Sequence, residues 1–176
     1  MTQGFVMLAI GKDYVKQAYT AALSIRANGN TRPVSLITST PVTKKQAKIF
    51  DQIIEIPWYA DVDSRFQTEH RWKIYHASPY EQTIVLDTDI LVQQNLDNWW
   101  SFLDNYELYF TSKVFTYRQD LVTNNFYRKA FEANNLPNVY CGLHYFKKSD
   151  TAHEFFKWVE LITNNWELFY GKYCSK

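Results

Sequence analysis

Several residue types that mark particular protein classes are scarce in this chain of 176 residues. It has two cysteines, Cys141 and Cys174, which make neither a disulfide framework nor a zinc site. Five glycines and five prolines leave no stretch that reads as a linker, and there is no internal repeat or low-complexity tract. Neither charge sign dominates: 19 Lys and Arg against 18 Asp and Glu leave a net charge of +1. That balance argues against a protein built to neutralise the phosphates of a nucleic acid. Long apolar runs are missing as well. The longest near the N-terminus, Phe5 to Ile10, is too short to span a bilayer and lacks the basic flank and cleavage region of a signal peptide. These absences predict a soluble, cytoplasmic protein with no transmembrane segment and no nucleic-acid partner.

What is present is apolar and aromatic. Hydrophobic residues make up 46% of the chain and aromatic ones 18%, so it can bury a core and is not a disordered chain. At roughly 150 residues per domain, residues 1–176 read as a single domain. The aromatic surplus suggests rings stacked on sugars, with Trp58, Trp99, Trp100, Trp158 and Trp166 available. Most of these fall at core-like periodic positions, and large aromatics dominate ordinary cores, so the surplus is assigned to the core. Lys44-Lys45 and Lys147-Lys148 read as solvated faces.

Strands and helices alternate along the first half. Phe5 to Ile10 is a buried strand closed by Gly11. A helix follows, with Asp13 as its N-cap and Val15, Ala18, Tyr19, Ala22 and Leu23 on one face, ending at Asn28-Gly29-Asn30. Val34 to Thr38 is a second strand, Thr43 to Gln46 a capping box opening a short helix, and Gln52 to Ile56 a third strand stopped by Pro57. Arg71 to Ala77 reads as helix and Thr83 to Leu86 as the fourth strand. This order predicts an α/β domain with a mainly parallel sheet flanked by helices. The second half predicts a smaller mixed or antiparallel part: a helix over Leu96 to Leu103, then strands at Glu107 to Phe110 and Val139 to Phe146. Ser149 or Asp150 then caps a periodic helix, with Ala152, Phe155, Phe156, Val159, Ile162 and Trp166 facing the core.

Chemistry concentrates in Asp87-Thr88-Asp89. The apolar strand Thr83 to Leu86 runs straight into this Asp-x-Asp, and the carboxyl end of a parallel strand opens onto the crevice where ligands bind. If the backbone stays extended, the two carboxylates face partly opposite sides. They converge on one ion only if the chain turns at Thr88, or if one of them acts through water. Hard oxygen ligands of this kind suit Mn²⁺ or Mg²⁺, which also coordinate phosphate oxygens. The plainer alternative is two exposed aspartates that cap the next element of the chain. Ile90-Leu91-Val92 on the far side weighs for the ion, because acids set in apolar sequence are costly without compensation.

Arg71-Trp72-Lys73-Ile74-Tyr75, Tyr80 and then Ile84 to Val92 together resemble the centre of a GT-A glycosyltransferase. The likeness is to glycosyltransferase family 8, the group that includes glycogenin and the galactinol synthases. That family carries a lysine upstream of its Asp-x-Asp and an Asn-[Ile/Leu]-Asp after it; Lys73 and Asn95-Leu96-Asp97 stand there in this chain. Ala9 to Tyr14, with Ala18 and Leu23-Ser24, resembles the family's first strand and nucleotide-binding turn. Cys141 to Phe146 resembles a later strand that begins Asn-[Ser/Ala]-Gly. Three departures stand out. Tyr140 occupies the place of that asparagine, no His-x-x-Gly-x-x-Lys segment precedes Lys176, and family members continue beyond a helix like the last one here. The expectation is therefore a GT-A, Rossmann-like domain lacking the C-terminal part of the usual fold.

The resemblance implies a metal-dependent glycosyltransferase. It would move a sugar from a nucleotide-sugar donor, most often a UDP-sugar, to a glycan, protein or small-molecule acceptor, with retention of configuration. Asp87 and Asp89 would hold Mn²⁺ or Mg²⁺ against the diphosphate, and Lys73 would add a second positive charge there. Ala9, Ile10, Gly11 and Thr88 would line the nucleotide, Tyr14 would stack on its base, and Gly142 and His144 would lie near the transferred sugar. Each has a plainer counterpart: Lys73 as a solvated helical lysine, Tyr14 as a core aromatic, Gly11 as a strand end, His144 as a packed histidine. Two other functions remain open. One is a phosphohydrolase of the haloacid dehalogenase type, whose first Asp is a nucleophile and second a general acid. The other is a nucleotide-binding domain without transferase activity.

Overall fold

The computed structural model describes residues 2–58, 69–116, 118–121, 131 and 133–173. Cys174 lies outside the described residues, and Cys141 is a free, exposed thiol. The elements are β1 (Gln3–Leu8), α1 (Lys12–Ala27), β2 (Val34–Ile37), α2 (Lys44–Ala47), β3 (Gln52–Ile54), α3 (Lys73–Ala77), β4 (Gln82–Leu86), α4 (Asp97–Leu103), β5 (Leu108–Thr111), β6 (Tyr140–Lys147), α5 (Asp150–Asn164) and α6 (Trp166–Tyr173). Six strands form one mixed sheet in the order β3-β2-β1-β4-β6-β5. β1 pairs in parallel with β2 and β4, and β2 with β3. β6 runs antiparallel to both β4 and β5. The α/β class and the antiparallel second half are as the sequence predicts.

Side chains alternate across each strand, and the alternation separates two cores. Phe5, Met7, Val34, Leu36, Ile84, Leu86 and Tyr145 face α1 and α4, where Ala18, Ala22, Ile25, Trp100 and Leu103 complete one cluster. Val6, Ile37, Val85 and Phe146 face the other way, onto Ile74 and Tyr75 of α3 and Ala152 and Phe156 of α5. Gly4 lies on that second side. A Cβ there would overlap the Tyr80 ring, whose hydroxyl is 2.6 Å from Ser35 Oγ.

The helix ends show where sequence pattern and structure part. Thr43 and Gln46 form the reciprocal capping box, and Ser149 caps α5 by accepting from the Ala152 amide at 3.2 Å. Gly29 takes φ +72 just past α1. Asp13 is not the cap of α1: the helix starts at Lys12 behind Gly11, and Asp13 pairs with Lys16 at 2.8 Å in the first turn. The buried face of α1 runs through Val15, Ala18, Ala21, Ala22 and Ile25, while Leu23 is exposed. The largest departure is at the C-terminal end. α5 stops at Asn164 and Trp166 opens a separate helix, so the expected single stripe breaks. Of its members Ala152 and Phe156 are buried and Phe155 and Val159 half-buried, but Ile162 and Trp166 are exposed.

Candidate functional site

From β1 the chain moves through β2 to β3, then returns to place β4 on the opposite side of β1. The carboxyl ends of β1 and β4 therefore diverge into a crevice, the position where open α/β sheets take ligands. A cavity of about 380 Å³ lies there, lined by Leu8, Ile10 and Tyr14 from the β1 side and by Val85, Leu86, Asp87, Thr88 and Asp89 from the β4 side. Arg71 and Ile74 close it. Among the sequence-predicted residues, the structure thus brings Ile10, Tyr14, Asp87, Thr88 and Asp89 to one cavity.

The chain turns at Thr88 and Asp89 directly after β4, which meets the condition for both carboxylates to serve one site. Thr88 is buried and its hydroxyl donates to Gln17 Oε1 of α1 at 3.0 Å. Asp87 continues the ladder by donating its amide to the Gly142 carbonyl at 2.8 Å. Its Oδ1 accepts from Arg71 Nη2 at 2.5 Å, and Oδ2 faces Gly142, where a Cβ would stand 3.7 Å from it. Burial pushes the Asp87 carboxyl above the ordinary carboxylate value; the Arg71 guanidinium opposes this and the nearby Asp89 reinforces it. Asp89 itself is exposed at the cavity mouth. The pair has the hard oxygen chemistry that Mn²⁺ or Mg²⁺ takes, and such ions commonly use one or two carboxylates with substrate phosphates completing the shell. Among the described residues no group of three or more His, Cys, Asp or Glu side chains converges as a metal site.

The opposite wall comes from the β1–α1 turn. Gly11 has φ +100, the left-handed region that glycine enters without strain, and its amide donates to Thr40 Oγ1 at 2.7 Å. Ala9 is buried beneath the turn, its carbonyl accepting from Thr38 Oγ1 at 2.6 Å. Tyr14, 37% exposed, presents its ring to the cavity rather than to the core.

Two predicted residues are placed elsewhere. Lys73 is buried, and its Nζ donates to the Trp58 carbonyl at 3.0 Å in a separate hollow. His144 is buried on β6, stacked on Phe110 at 5.4 Å. Its Nδ1 lies 3.2 Å from the Cys141 carbonyl. A carbonyl only accepts, so Nδ1 carries a proton. Burial holds this imidazole down at about 4.

Comparison with solved structures finds this architecture in known enzymes. The glycosyltransferase GlyE of Streptococcus pneumoniae TIGR4 superposes with a TM-score of 0.59 at 17% identity, covering 99% of this chain and 44% of that one. For the galactosyltransferase LgtC, solved with donor and acceptor sugar analogues, the TM-score is 0.60 at 16% identity, covering 92% and 65%. Core-mannan synthase A of Aspergillus fumigatus, in its Mn/GDP form, gives 0.55 at 9% identity, covering 93% and 65%. The chain has the GT-A fold. It spans between 44% and 65% of the length of these neighbours. No protein-family model matches the chain, and no curated protein sequence does either. Among the described residues no helix of this GT-A domain is long and apolar enough to cross a membrane.

The sequence pattern does not single out Arg71 as a site residue. The hydrogen bonds Lys73 N to His70 O, Ile74 N to Arg71 O and Tyr75 N to Trp72 O show tight i to i+3 turns leading into α3, in which side chains three apart eclipse. Arg71 and Ile74 therefore share the cavity side, and His70 and Lys73 share another. A residue two places from Arg71 cannot share its direction, so Arg71 and Lys73 cannot both meet Asp87. The asparagines after α1 do more than end a helix. Asn28 donates to the Val92 carbonyl at 2.8 Å and Asn30 Oδ1 accepts from the Leu96 amide at 2.7 Å, while Ser24 Oγ accepts from the Val92 amide at 2.9 Å. These bonds fasten the segment that leaves the Asp-x-Asp turn.

Proposed function

We propose that the chain is the donor-binding domain of a glycosyltransferase of the family-8 type, using a UDP-sugar and a divalent cation and retaining anomeric configuration. The observation that carries this is the Asp87-Thr88-Asp89 turn at the switch-point cavity, in a fold shared with glycosyltransferases. Asp87 and Asp89 are the residues that would hold Mn²⁺ or Mg²⁺. When bound, the ion supplies Lewis-acid stabilisation of the departing diphosphate. Arg71 adds a fixed guanidinium beside Asp87, suited by its planar donors to phosphate or sugar hydroxyl oxygens. The Gly11 turn lets backbone approach the nucleotide, and Tyr14 offers its ring to the base. Thr88, tied to Gln17, keeps the two carboxylates on the cavity side. The cytoplasmic location expected from the sequence belongs to the same proposal. The fold weighs against the phosphohydrolase alternative, because the Asp-x-Asp follows the fourth strand here and not the first.

The test is release of UDP from UDP-sugars, with and without Mn²⁺. Asp89→Asn should lower Mn²⁺-dependent turnover by about 10³-fold and leave the melting temperature unchanged, since the side chain is exposed. Unchanged turnover in that variant removes the metal role. Donor binding without UDP release by the wild type would reduce the function to nucleotide-sugar binding.

A further inference from the structure

The strip from Glu69 to Ile74 has two sides. Arg71 and Ile74 face the donor cavity. Behind them lies a second hollow of about 440 Å³, lined by Trp58, Glu69, His70, Trp72, Lys73 and Glu160. The function proposed above uses none of these side chains. We infer that this second hollow is a saccharide-binding site, in which a hexose ring lies on the open face of Trp58.

Trp58 is the first reason. It is 67% exposed, yet it is held from three directions. Its ring stacks on buried Trp72 with centroids 5.8 Å apart and planes 15° apart. The His76 ring meets it edge-on at 5.4 Å, and Lys73 Nζ grips its carbonyl at 3.0 Å. Its backbone sits at φ +52, a region a bulky residue occupies only when its surroundings impose it. An indole pinned on one face and bare on the other is a preformed apolar platform. The C–H face of a pyranose is its natural complement.

The polar lining is the second reason. Lys73 is only 6% exposed and brings an ammonium into the hollow. Glu69 Oε2 is buried and has no hydrogen-bond partner among the described residues, an arrangement that costs free energy unless a donor arrives. Glu160 and Asn164 supply further acceptors and an amide from α5. Two carboxylates disfavour an anion and the ammonium disfavours a cation, while an apolar ligand would leave Glu69 unsatisfied. A neutral polyol satisfies every group, because each hydroxyl both donates and accepts. Binding of this kind stands independently of glycosyl transfer. Its use as an anchor for the acceptor glycan, one strip away from the donor cavity, rests on the function proposed above.

The experiment uses the full chain without nucleotide or metal. Lactose, cellotriose and maltotriose are titrated to about 50 mM, weak millimolar affinity being ordinary for a single stacked sugar, and read by tryptophan fluorescence and saturation-transfer NMR. At least one should bind. Trp58→Ala should weaken it about tenfold, Glu160→Gln should weaken it less, and Asp89→Asn should leave it unchanged. Should Trp58→Ala fail to fold, Glu160→Gln on the surface of α5 still reports. Absence of binding for all three sugars overturns the site, as does unaltered affinity in both Trp58→Ala and Glu160→Gln. Saccharide binding without UDP release would leave this site standing while the transferase function fails. UDP release without saccharide binding would do the reverse.

Discussion

Trp100 and Trp158 sit on helices packed against opposite faces of the sheet, and they meet opposite surroundings. Trp100, on α4, is 2% exposed, with its ring edge-on to Phe5 of β1 at 5.4 Å. Trp158, on α5, is 59% exposed among Leu161, Ile162 and other exposed apolar side chains. The difference is what lies opposite. α4 closes over the parallel strands, where Phe5, Met7, Ile84 and Leu86 give an apolar face and Gln82 bonds Asp104 at its edge at 2.6 Å. α5 packs through its first turns, where Ala152 and Phe156 join the cluster of Phe146 on β6 and Tyr75 on α3 and Phe155 meets Phe110 of β5. The candidate site follows the same division. Its walls come from the ends of the parallel strands β1 and β4, the turns that follow them, Tyr14 of α1 and the strip carrying Arg71 and Ile74. Gly142 of β6 stands beside Asp87 at the seam.

The sharpest way to break this comparison is Trp100→Ala. Truncating a fully buried tryptophan removes its transfer free energy and leaves a cavity. Destabilisation of about 3–5 kcal/mol is expected from denaturant unfolding. A loss below about 1 kcal/mol would mean that the α1–α4 cluster is loosely packed and the contrast unfounded.

His144 probes the seam between the two halves. Its folded pKa of about 4 lies below the ordinary histidine value of 6.5. As pH falls through 6.5 the unfolded chain takes up this proton and the native chain does not. Stability is therefore lost between about pH 6.5 and 4 and levels off below, by up to about 3 kcal/mol. Burial also lowers His70 and His76, so the part due to His144 is the difference from His144→Gln, which should show a shallower slope in that window. An imidazole titrating near 4 by NMR in the wild type, and missing in the variant, assigns it. Equal slopes would place His144 in a more hydrated setting than β6 provides.

Legibility followed the same division. The parallel half was readable because short apolar runs closed by Gly11, Pro57 and the Asp-x-Asp have few alternatives to buried strands. The capping box at Thr43 and the left-handed Gly29 were readable because the chemistry of each is local. What stayed hidden depends on partners distant in sequence. Asn28 and Asn30 read as a helix end, yet their acceptors and donors lie more than 60 residues away at Val92 and Leu96. Arg71 is overshadowed by Lys73 because spacing along a chain does not reveal which side a tight turn presents. Ile162 and Trp166 read as core because periodicity reports an apolar face, not whether anything covers it.

Trp158→Ala is the smallest effect and the counterpart of Trp100→Ala on the other face of the sheet. A tryptophan 59% exposed has already left most of its surface in water, so removing it deletes little burial and opens no cavity. The expected change is within about 0.5 kcal/mol, measured by the same unfolding experiment as Trp100→Ala. Two equal truncations, one on each face of the sheet, would then differ at least sixfold in cost. A loss above about 2 kcal/mol for Trp158→Ala would show the indole buried in solution, and the unequal packing of α4 and α5 would have to be given up.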